Sequence, residues 1–462
     1  MSVTELRPFV IVANRLPVQR AGRSGWEISP GGLVSALSSL TTQRHTAWVG
    51  WPGGRSARTE PFAHGKTWLV PVSLSTQEVE RYYEGFSNGA LWPLFHDMVT
   101  RPQYHRSWWD AYLAVNLRFA EQAAASADRN GTVWVHDYQL MLVPAMLRAL
   151  RPDLRIGFFN HIPFPPPELF LQLPWRQELL DGMLGADLVG LQTPGDALNV
   201  TRLASILGHR NTHGVVHVGR RRCQVDDFPI SVDFTQLSDS AEHPDVAARA
   251  EQLRADLGMP RRILLGVDRL DYTKGITVRL RAFQELLKDG AIDPEEVVFV
   301  QVAVPSRERI GSYAEERRRV NNIVGEINGR FGRIGRPSVH LISRSLPMTE
   351  LQPLYRTADV MLVTPVRDGM NLVAKEFVAS CVNESGVLIL SEFAGAAHEL
   401  SDALKVNPFD IDGVKAALVE ALAMSPEEQQ RRMRSMRALV KERDVHAWAL
   451  GFIQRLEKRR RS

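Results

Sequence analysis

The segment Phe9-Val10-Ile11-Val12-Ala13, followed by Asn14-Arg15-Leu16-Pro17, indicates how this chain begins to fold. Its first five residues are apolar and mostly β-branched, which predicts a short strand buried on both faces. The polar residues and the proline that follow predict a loop. Pro30-Gly31-Gly32 then precedes residues 33–37, whose apolar spacing predicts a helix. A buried strand, a loop and a helix in this order are typical of a parallel α/β sheet.

The same pattern recurs along the chain. Strands are predicted at residues 132–135, 156–160 and 188–191, and again at 263–267, 297–304, 339–342, 360–364 and 387–390. Between the two sets, residues 233–260 are rich in Asp, Glu and Ala, and predict a linker with one surface helix. We therefore expect two doubly wound α/β domains, residues 1–235 and 236–446. Facing each other, two such domains would bring the carboxyl ends of their strands around one cleft, where ligands bind.

The composition is that of an ordinary globular protein. Of 462 residues, 44% are hydrophobic and 23% are charged, which argues against disorder and fibrous repeats. The net charge of +4 comes from the terminal run of Lys458, Arg459, Arg460 and Arg461, because without these four the acidic and basic counts are equal at 52. The chain therefore has no broad basic face, and we do not expect it to bind nucleic acid.

Cysteine content and hydropathy exclude further classes of protein. The two cysteines, Cys223 and Cys381, are too few for a disulfide framework or a zinc site, which fits a reducing cytoplasm. Residues 1–12 lack the basic and apolar regions of a signal peptide. No apolar run approaches the roughly 18 residues of a membrane-spanning helix, so we expect no membrane association.

Two segments resemble ligand motifs but have simpler interpretations. His64-Gly65-Lys66-Thr67 looks like the end of a phosphate-binding P-loop, but Glu60 stands where that motif requires glycine. Asp410-Ile411-Asp412 could hold a metal ion on a nucleotide diphosphate, but it directly precedes an apolar helical run and is better interpreted as a helix N-cap. The sequence contains no G-x-G-x-x-G motif, which is the fingerprint of a dinucleotide-binding site. We therefore predict neither a cofactor nor a metal.

Two loops after predicted strands in the second half carry groups suited to chemistry. Residues 268–275 follow one strand and contain Arg269 and Lys274, whose charges suit a diphosphate and would stabilise it as a leaving group. The alternative is a solvated loop whose cations pair with its own carboxylates. Residues 364–372 follow another strand, and Glu376 lies early in the next helix. Glu376 could accept hydrogen bonds from a ribose diol, or it could be a surface residue.

Three loops of the first half also carry groups that could bind a ligand. Gly31 and Gly32 place free backbone N–H groups at a helix start, where anions bind, although a plain turn is an equal alternative. Asp137 and His161 each follow a buried strand, at the point where the core would open into a cleft. The prolines of residues 163–167 would make the loop after His161 rigid.

These motifs together resemble the trehalose-6-phosphate synthase family of nucleotide-sugar glycosyltransferases. The segments that carry the resemblance are A-N-R-L-P (13–17), P-G-G-L (30–33), Y-Y-x-x-F-S-N-x-x-L-W-P (82–93), V-H-D-Y-Q-L (135–140), H-I-P-F-P-P-P-E-L-F (161–170), V-D-R-L-D-Y-T-K-G-I (267–276) and R-D-G-M-N-L-V-A-K-E-F (367–377). They span most of the chain in the family's order. The resemblance implies two Rossmann-like domains of the glycosyltransferase B fold. It also implies that a terminal helix, about residues 447–462, packs back on the first domain.

The family resemblance implies that glucose passes, with retention, from a nucleoside diphosphate glucose to glucose 6-phosphate, which forms α,α-trehalose 6-phosphate. By motif position, the implied acceptor-binding residues are Arg15, Tyr83, Trp92, Asp137 and Arg307. The implied donor-binding residues are Gly31, Gly32, His161, Arg269, Lys274, Asp368, Met370, Asn371, Leu372, Val373 and Glu376. Of these, Asp137, His161, Arg269, Lys274 and Asp368 are the implied catalytic groups.

The resemblance also bears on mechanism and assembly. A double displacement needs a carboxylate beneath the anomeric carbon, and no carboxylate of the matched motifs clearly takes that place. The family resemblance implies front-face attack instead, in which the leaving phosphate oxygen accepts the acceptor's proton. Relatives often form dimers or tetramers, so a homodimer or homotetramer is expected. One departure is Asn160, which stands where the family usually has an apolar residue, and which could face either the core or the cleft.

Two alternatives to this function remain open from the sequence. A sister transferase could use another phosphorylated acceptor, such as glycerol 3-phosphate or a cyclitol phosphate. A non-catalytic homologue could regulate or scaffold, although such a protein would be expected to lose Arg269, Lys274, Asp368 or Glu376, all of which are present. The sequence does not identify the donor's base.

Overall fold

The chain divides into two compact units. The computed structural model describes residues 6–21, 25–28, 37, 45–53 and 59–458. Unit 1 comprises Met1–Ile230 and His446–Ser462, and unit 2 comprises Ser231–Val445. The division falls between Ile230 and Ser231, whereas the sequence placed it after residue 235. Within the part of the chain that the structure describes, none of the helices is long and apolar enough to cross a bilayer.

Unit 1 is built on a mainly parallel sheet. Its strands are β1 (Arg7–Arg15), β4 (Thr46–Trp51), β5 (Phe62–His64), β6 (Thr67–Pro71), β7 (Ala127–His136), β8 (Arg155–Phe159), β9 (Leu188–Leu191), β10 (Arg210–Thr212), β11 (Val215–Val218) and β12 (Arg221–Asp227), beside a separate ribbon of β2 (Val18–Ala21) and β3 (Gly25–Ile28). Among the described residues the order is β10-β11-β12-β9-β8-β7-β1-β4-β6-β5. From β12 to β6 every neighbouring pair is parallel. The carboxyl ends of β1, β7 and β8 therefore share one edge of the sheet.

Helices cover this sheet, and the terminal helix is one of them. The described helical segments of unit 1 are Thr76–Glu78, Val79–Leu91 (a π-helix), Trp92–Phe95, Arg106–Ser126, Tyr138–Leu140 (3₁₀), Val143–Leu150, Pro167–Phe170, Arg176–Met183, Pro194–Ile206 and Val445–Lys458. In the last helix, the ring of Phe452 stacks on Trp134 of β7 at 4.5 Å between centroids. A Cβ added at Gly157 of β8 would lie 2.7 Å from Phe452, so the missing side chain lets the helix approach.

The P-loop-like segment is a hairpin. His64 of β5 pairs with Thr67 of β6 in an antiparallel register, and Gly65 supplies the positive φ of +58° that the turn requires. The P-loop needs a strand that leads into a helix, and this segment joins two strands. The prediction that it is not a phosphate-binding loop is therefore confirmed.

Unit 2 is a second doubly wound α/β unit, and all its residues are described. Its strands are β13 (Arg262–Arg269), β14 (Val297–Val304), β15 (Val339–Ile342), β16 (Val360–Val363), β17 (Val387–Ser391) and β18 (Leu404–Val406). The order β15-β14-β13-β16-β17-β18 is parallel throughout. The chain moves outward first on one side of β13 and then on the other. The crevice beyond the carboxyl ends of β13 and β16 is therefore the topological switch point, where such sheets bind ligands.

The segment expected to be a linker with one helix contains two helices, so that prediction is wrong. The helical segments of unit 2 are Phe234–Glu242, Pro244–Asp256, Tyr272–Lys274 (3₁₀), Ile276–Lys288, Gly311–Phe331, Met348–Thr357, Leu372–Ser380, Gly395–His398 (3₁₀), Ile411–Ala423 and Pro426–Glu442. His243 separates the first two, because Pro244 lacks an N–H and occupies the first position of a new helix. Phe234 and Leu237 are buried, so the first helix belongs to the core.

Candidate functional site

The loops that follow β13 and β16 meet at the switch point of unit 2. Lys274 of the first loop donates from Nζ to Oδ2 of Asp368 in the second, at 2.5 Å. Both side chains are largely buried, with exposed fractions of 10% and 13%. Asn371 donates to the same Asp368 oxygen at 3.1 Å. Lys274 and Asp368, predicted from separate motifs, are therefore in direct contact. They place a cation and a carboxylate beside the carboxyl ends of β13 and β16.

A buried ion pair below Lys274 orders the first loop. Arg279, on the helix Ile276–Lys288, is fully buried and forms an ion pair with Asp268 at 2.5 Å. Its Nη1 donates to the backbone oxygen of Lys274 at 3.4 Å, and its Nε donates to Gln301 at 2.9 Å. Burial raises the pKa of Asp268, and Arg279 opposes this rise. The sequence analysis missed Arg279, because an arginine in an amphipathic helix gives no signal that it points inward.

The turn between Lys274 and the next helix depends on glycine. Gly275 has a φ of +60°, and a Cβ added there would lie 2.0 Å from the backbone oxygen of Thr364. The two loops therefore approach each other at backbone contact distance. Only glycine fits both the conformation and the contact.

Arg307 lies in a buried cluster of unit 2 that includes Asp271 of the loop after β13. Its side chain is 6% exposed, its Nη1 donates to the hydroxyl of Tyr313 at 2.5 Å, and it faces Asp271 at 3.6 Å. Asp271 is fully buried and also accepts from Tyr313 at 3.2 Å and from the backbone and hydroxyl of Thr273, both at 3.0 Å. Burial acts to raise the pKa of Asp271, but Arg307 and other nearby cations lower it below its usual value. Arg307 is thus held by an ionised carboxylate.

The remaining candidates of unit 2 surround the start of the helix Leu372–Ser380. Asn371 has a φ of +79° and caps this helix by accepting from Ala374 at 3.1 Å. Glu376 accepts a hydrogen bond from the hydroxyl of Tyr355 at 2.8 Å, and burial raises the pKa of its carboxyl. Met370 is buried and its backbone oxygen accepts from Ala396 at 2.8 Å. The other three predicted residues are Leu372 and Val373, both partly buried at the helix start, and Arg269, exposed at the end of β13.

In unit 1, Arg15 and Tyr83 meet through an aromatic residue that the sequence analysis missed. The Arg15 guanidinium lies 4.4 Å from the ring centroid of Trp51, which is an edge-on neighbour of Tyr83 at 5.7 Å. A Cβ added at Gly53 would lie 2.9 Å from this guanidinium. Arg15 is therefore held between an aromatic face and bare backbone. Trp51 ends β4, a strand that the sequence analysis did not predict.

A second set of contacts orders the segment that carries Tyr83 and Trp92. Asn88 donates to the backbone oxygen of Tyr83 at 2.7 Å and accepts from the hydroxyl of Tyr138 at 2.8 Å. Trp92 is buried, and its ring stacks on His96 at 4.1 Å. Tyr138 directly follows Asp137, so the loop after β7 and this helical segment are linked.

Asp137 and His161, predicted from neighbouring strands, are in contact. Asp137 follows β7 with a φ of +77°, a strained conformation for a residue with a side chain, of the kind found at functional sites. Its Oδ1 accepts from the backbone N–H of His161 at 3.1 Å. His161 is partly buried, and burial lowers its pKa to about 3, so its imidazole is neutral at physiological pH. One ring nitrogen of His161 faces His136 at 3.1 Å.

Asn160 faces the interior. It is 1% exposed, its Nδ2 donates to the backbone oxygen of Ile162 at 2.6 Å, and its backbone N–H donates to Gly190 at 3.0 Å. Among the described residues, its buried Oδ1 has no hydrogen-bond partner. The amide therefore braces the loop that carries His161, which resolves the alternative that the sequence left open in favour of the core.

Three further predictions complete the comparison with the sequence. Gly31 and Gly32 lie outside the described residues. Asp410 accepts from the backbone of Gly413 at 3.0 Å and begins the helix Ile411–Ala423, so its interpretation as an N-cap is confirmed. Over the residues that the structure describes, no group of three or more His, Cys, Asp or Glu side chains could hold a metal ion.

The chain is similar to known proteins over nearly its whole length. The model of glycosyltransferase family 20 matches residues 7–458. A trehalose-6-phosphate synthase of Mycolicibacterium gilvum is 53% identical over 471 residues, which cover 98% of this chain and 94% of that protein.

Two solved structures have the same fold. One is a UDP-forming alpha,alpha-trehalose-phosphate synthase of Burkholderia xenovorans in complex with glucose 6-phosphate, with a TM-score of 0.90 and 34% identity, covering 97% of this chain and 99% of that one. The other, from E. coli, is bound with UDP-2-fluoro glucose and has a TM-score of 0.89 and 33% identity over 97% of this chain and 98% of that one. The predicted fold class, two Rossmann-like α/β units of the glycosyltransferase B type, is confirmed. The chain belongs to glycosyltransferase family 20.

Proposed function

We propose that this chain is an α,α-trehalose-6-phosphate synthase that transfers glucose, with retention, from UDP-glucose to glucose 6-phosphate. The observation that carries the proposal is the buried Lys274–Asp368 pair at the switch point of unit 2. A cation there suits a diphosphate, and a carboxylate beside it suits sugar hydroxyls. The choice of UDP is supported by relatives whose printed descriptions name UDP-forming enzymes or a UDP sugar.

The donor residues have complementary roles in this proposal. Lys274 and Arg269 bind the diphosphate and stabilise the charge that develops as it leaves. Asp368 and the backbone of Met370, Asn371, Leu372 and Val373 bind hydroxyls of the transferring glucose. Glu376 accepts from the ribose diol, and Gly31 and Gly32 offer backbone N–H groups to the diphosphate.

The acceptor residues carry charge and aromatic surface suited to a sugar phosphate. We assign the phosphate to Arg15 and Arg307, whose guanidinium groups can each form bidentate hydrogen bonds. Tyr83 and Trp92 contact the glucose of the acceptor, and Asp137 orients it. His161 contacts the transferring glucose. These roles fit the contacts within each unit, where aromatic and carboxylate groups hold the side chains in place.

The proposed transfer of glucose needs no nucleophile from the protein. The anomeric hydroxyl oxygen of glucose 6-phosphate forms a bond to the anomeric carbon of the donor. The bond between that carbon and the β-phosphate oxygen breaks on the same face, and the leaving diphosphate takes the hydroxyl proton. Positioning of both sugars and electrostatic stabilisation of the diphosphate then supply the rate enhancement.

We further propose that the chain works in the cytoplasm as a homodimer or homotetramer. Cys223 and Cys381 are both free thiols, as in a reducing compartment. Leu113 and Leu117 are 43% and 42% exposed, one turn apart on the helix Arg106–Ser126, and could lie in a subunit contact. Light scattering of the purified chain would establish its mass.

One assay tests the proposed reaction. Release of nucleoside diphosphate is measured from UDP-, ADP- and GDP-glucose, with and without glucose 6-phosphate, in the presence of a metal chelator. We expect release from UDP-glucose that requires glucose 6-phosphate and survives the chelator. Release that instead requires glycerol 3-phosphate or a cyclitol phosphate would establish a sister transferase. Donor binding without release would contradict the proposed activity.

A further inference from the structure

Two histidines of unit 1 are in contact at the carboxyl ends of the neighbouring strands β7 and β8. His136, the last residue of β7, is fully buried, and its Nδ1 lies 3.1 Å from Nε2 of His161. Their rings are nearly parallel, at 25° and 5.3 Å between centroids. Burial lowers the pKa of both imidazoles, so both are neutral. At 3.1 Å, two neutral rings form a hydrogen bond when one hydrogen lies between the facing nitrogens, and that hydrogen belongs to one ring or the other.

The surroundings of His136 decide which ring carries that hydrogen. The ring lies against Trp134 at 4.6 Å and Phe159 at 6.5 Å, and its Nε2 is buried with no hydrogen-bond partner among the described residues. If His136 carried its hydrogen on Nε2, a buried N–H group would be unpaired, which folded proteins rarely allow. If the hydrogen is on Nδ1, it is donated to His161. The second arrangement is favoured.

We propose that His136 is a positioning residue that fixes His161 in its Nδ1–H tautomer, so that His161 offers a hydrogen-bond donor to a hydroxyl oxygen of the transferring glucose. With Nε2 occupied as the acceptor from His136, the one N–H of the neutral His161 ring must be at Nδ1. That nitrogen makes no hydrogen bond within the described residues, and His161 is only partly buried, so the N–H can be satisfied by an acceptor on a ligand. The inference rests on the proposed function, which places His161 beside the transferring sugar.

Contacts on the His161 backbone support this arrangement. Its N–H donates to Asp137 at 3.1 Å, and its carbonyl oxygen accepts from Gln192 at 3.3 Å. With the backbone held from both sides and Nε2 held by His136, the ring has a defined direction. Preorganisation of this kind is what a group that orients a reacting sugar requires.

The tautomer can be measured directly, without activity. In protein labelled with ¹⁵N-histidine, the shifts of the two ring nitrogens distinguish Nδ1–H from Nε2–H. The chain has 13 histidines, and the His161 signals are those lost in His161→Asn. We expect His161 as Nδ1–H in the wild type and a mixture of tautomers in His136→Phe, which keeps the ring volume but removes the nitrogens. His161 as Nε2–H in the wild type would overturn the inference.

Two further variants separate positioning from structural support. In His136→Asn, the amide nitrogen lies one bond beyond Cγ, as Nδ1 does, and can donate to His161 in its place. We expect His136→Phe to lower kcat about 3- to 10-fold, the effect of one neutral hydrogen bond, with the KM for glucose 6-phosphate unchanged. His136→Asn should recover most of that loss and the wild-type tautomer. His340→Phe, at a partly buried histidine of unit 2, is the control and should change neither readout.

The two proposals fail in different ways. If the wild type transfers no glucose with any donor, the proposed function fails while the tautomer of His161 is still read from the spectrum. If the wild type is active, but His136→Phe and His136→Asn lose activity equally and leave the tautomer unchanged, then His136 only supports the fold and the inference is wrong.

Discussion

Lys274 and Asp368 are 94 residues apart in sequence, yet Nζ of the lysine lies 2.5 Å from Oδ2 of the aspartate. The pair joins the loop after β13 to the loop after β16. In the absence of a nucleotide sugar, the carboxylate neutralises the ammonium group, which is nearly buried. A bound diphosphate would offer the ammonium a second anionic partner. The pair therefore holds the cation in place before the donor arrives.

Replacement of Lys274 should lower turnover more than donor affinity. In Lys274→Ala, the charge that stabilises the leaving diphosphate is lost, and we expect kcat to fall about 10²- to 10³-fold. The measurement is steady-state UDP release with saturating glucose 6-phosphate. Lys415→Ala is the matched control, because Lys415 forms ion pairs with Glu285 and Asp289 away from this loop and should not affect kcat. Unchanged turnover in Lys274→Ala would contradict the assigned role.

Replacement of Arg307 should act on the acceptor. Asp271 and Tyr313 hold the guanidinium, so Arg307→Ala removes one oriented charged donor, while Tyr313 and Thr273 still donate to Asp271 in the donor loop. We expect the KM for glucose 6-phosphate to rise about 10- to 150-fold, the value of a charged hydrogen bond, while the Kd for UDP-glucose changes little. Arg317→Ala, at an exposed ion pair with Glu308, is the control. A weakened donor with an unaffected acceptor would show that Arg307 is misassigned.

The sequence predicted the segments of the site but not the contacts between them. Strands 188–191, 297–304 and 339–342 were predicted with the bounds that the structure has, because strands of a parallel sheet are predominantly apolar. The polar candidates that follow the predicted strands 132–135, 156–160, 263–267 and 360–364 were identified because ligands bind at the carboxyl ends of such strands. Arg279 and Trp51 were not identified, because their roles depend on partners brought close only by strand pairing and loop packing.

The sequence also does not predict the backbone contact of Gly275 or the pairing of His136 with His161. The contact of Gly275 with Thr364 is between residues 89 positions apart, and no local pattern reports it. The same holds for His136, which directly follows the predicted strand 132–135 and has no local signal for its contact with His161. Such contacts depend on three-dimensional packing rather than on local periodicity.

The raised pKa of Glu376 predicts that Glu376→Gln stabilises the fold but weakens donor binding. Because burial raises its pKa in the folded chain, the folded state binds the proton more tightly than the unfolded state. The contribution of Glu376 to stability is therefore largest below the unfolded pKa and is lost as the pH rises through the folded pKa. Glu376→Gln should remove this slope and raise the free energy of unfolding at neutral pH.

Donor binding should respond in the other direction. An ionised carboxylate accepts stronger hydrogen bonds from a ribose diol than a neutral amide does, so Glu376→Gln should weaken UDP-glucose binding about 5- to 10-fold at neutral pH. Calorimetry measures both the binding and the unfolding. The exposed Glu420→Gln is the control and should affect neither. An unaltered Kd in Glu376→Gln would place the ribose elsewhere.

Gly275 and Gly290 allow backbone strain to be separated from steric contact. Their φ angles are similar, +60° and +67°, but a Cβ at Gly275 would lie 2.0 Å from the Thr364 oxygen, whereas one at Gly290 would meet nothing within 4 Å. Gly290→Ala should lower the free energy of unfolding by about 1 kcal/mol, the cost of a left-handed backbone for a residue with a side chain. Gly275→Ala carries that cost and must also push apart the loops after β13 and β16, so we expect a loss of about 3 kcal/mol or more. Urea denaturation of both variants gives the difference. Because the same displacement separates Lys274 from Asp368, kcat should fall in Gly275→Ala alone, and equal losses of stability in the two variants would show that the loops can relax around a side chain.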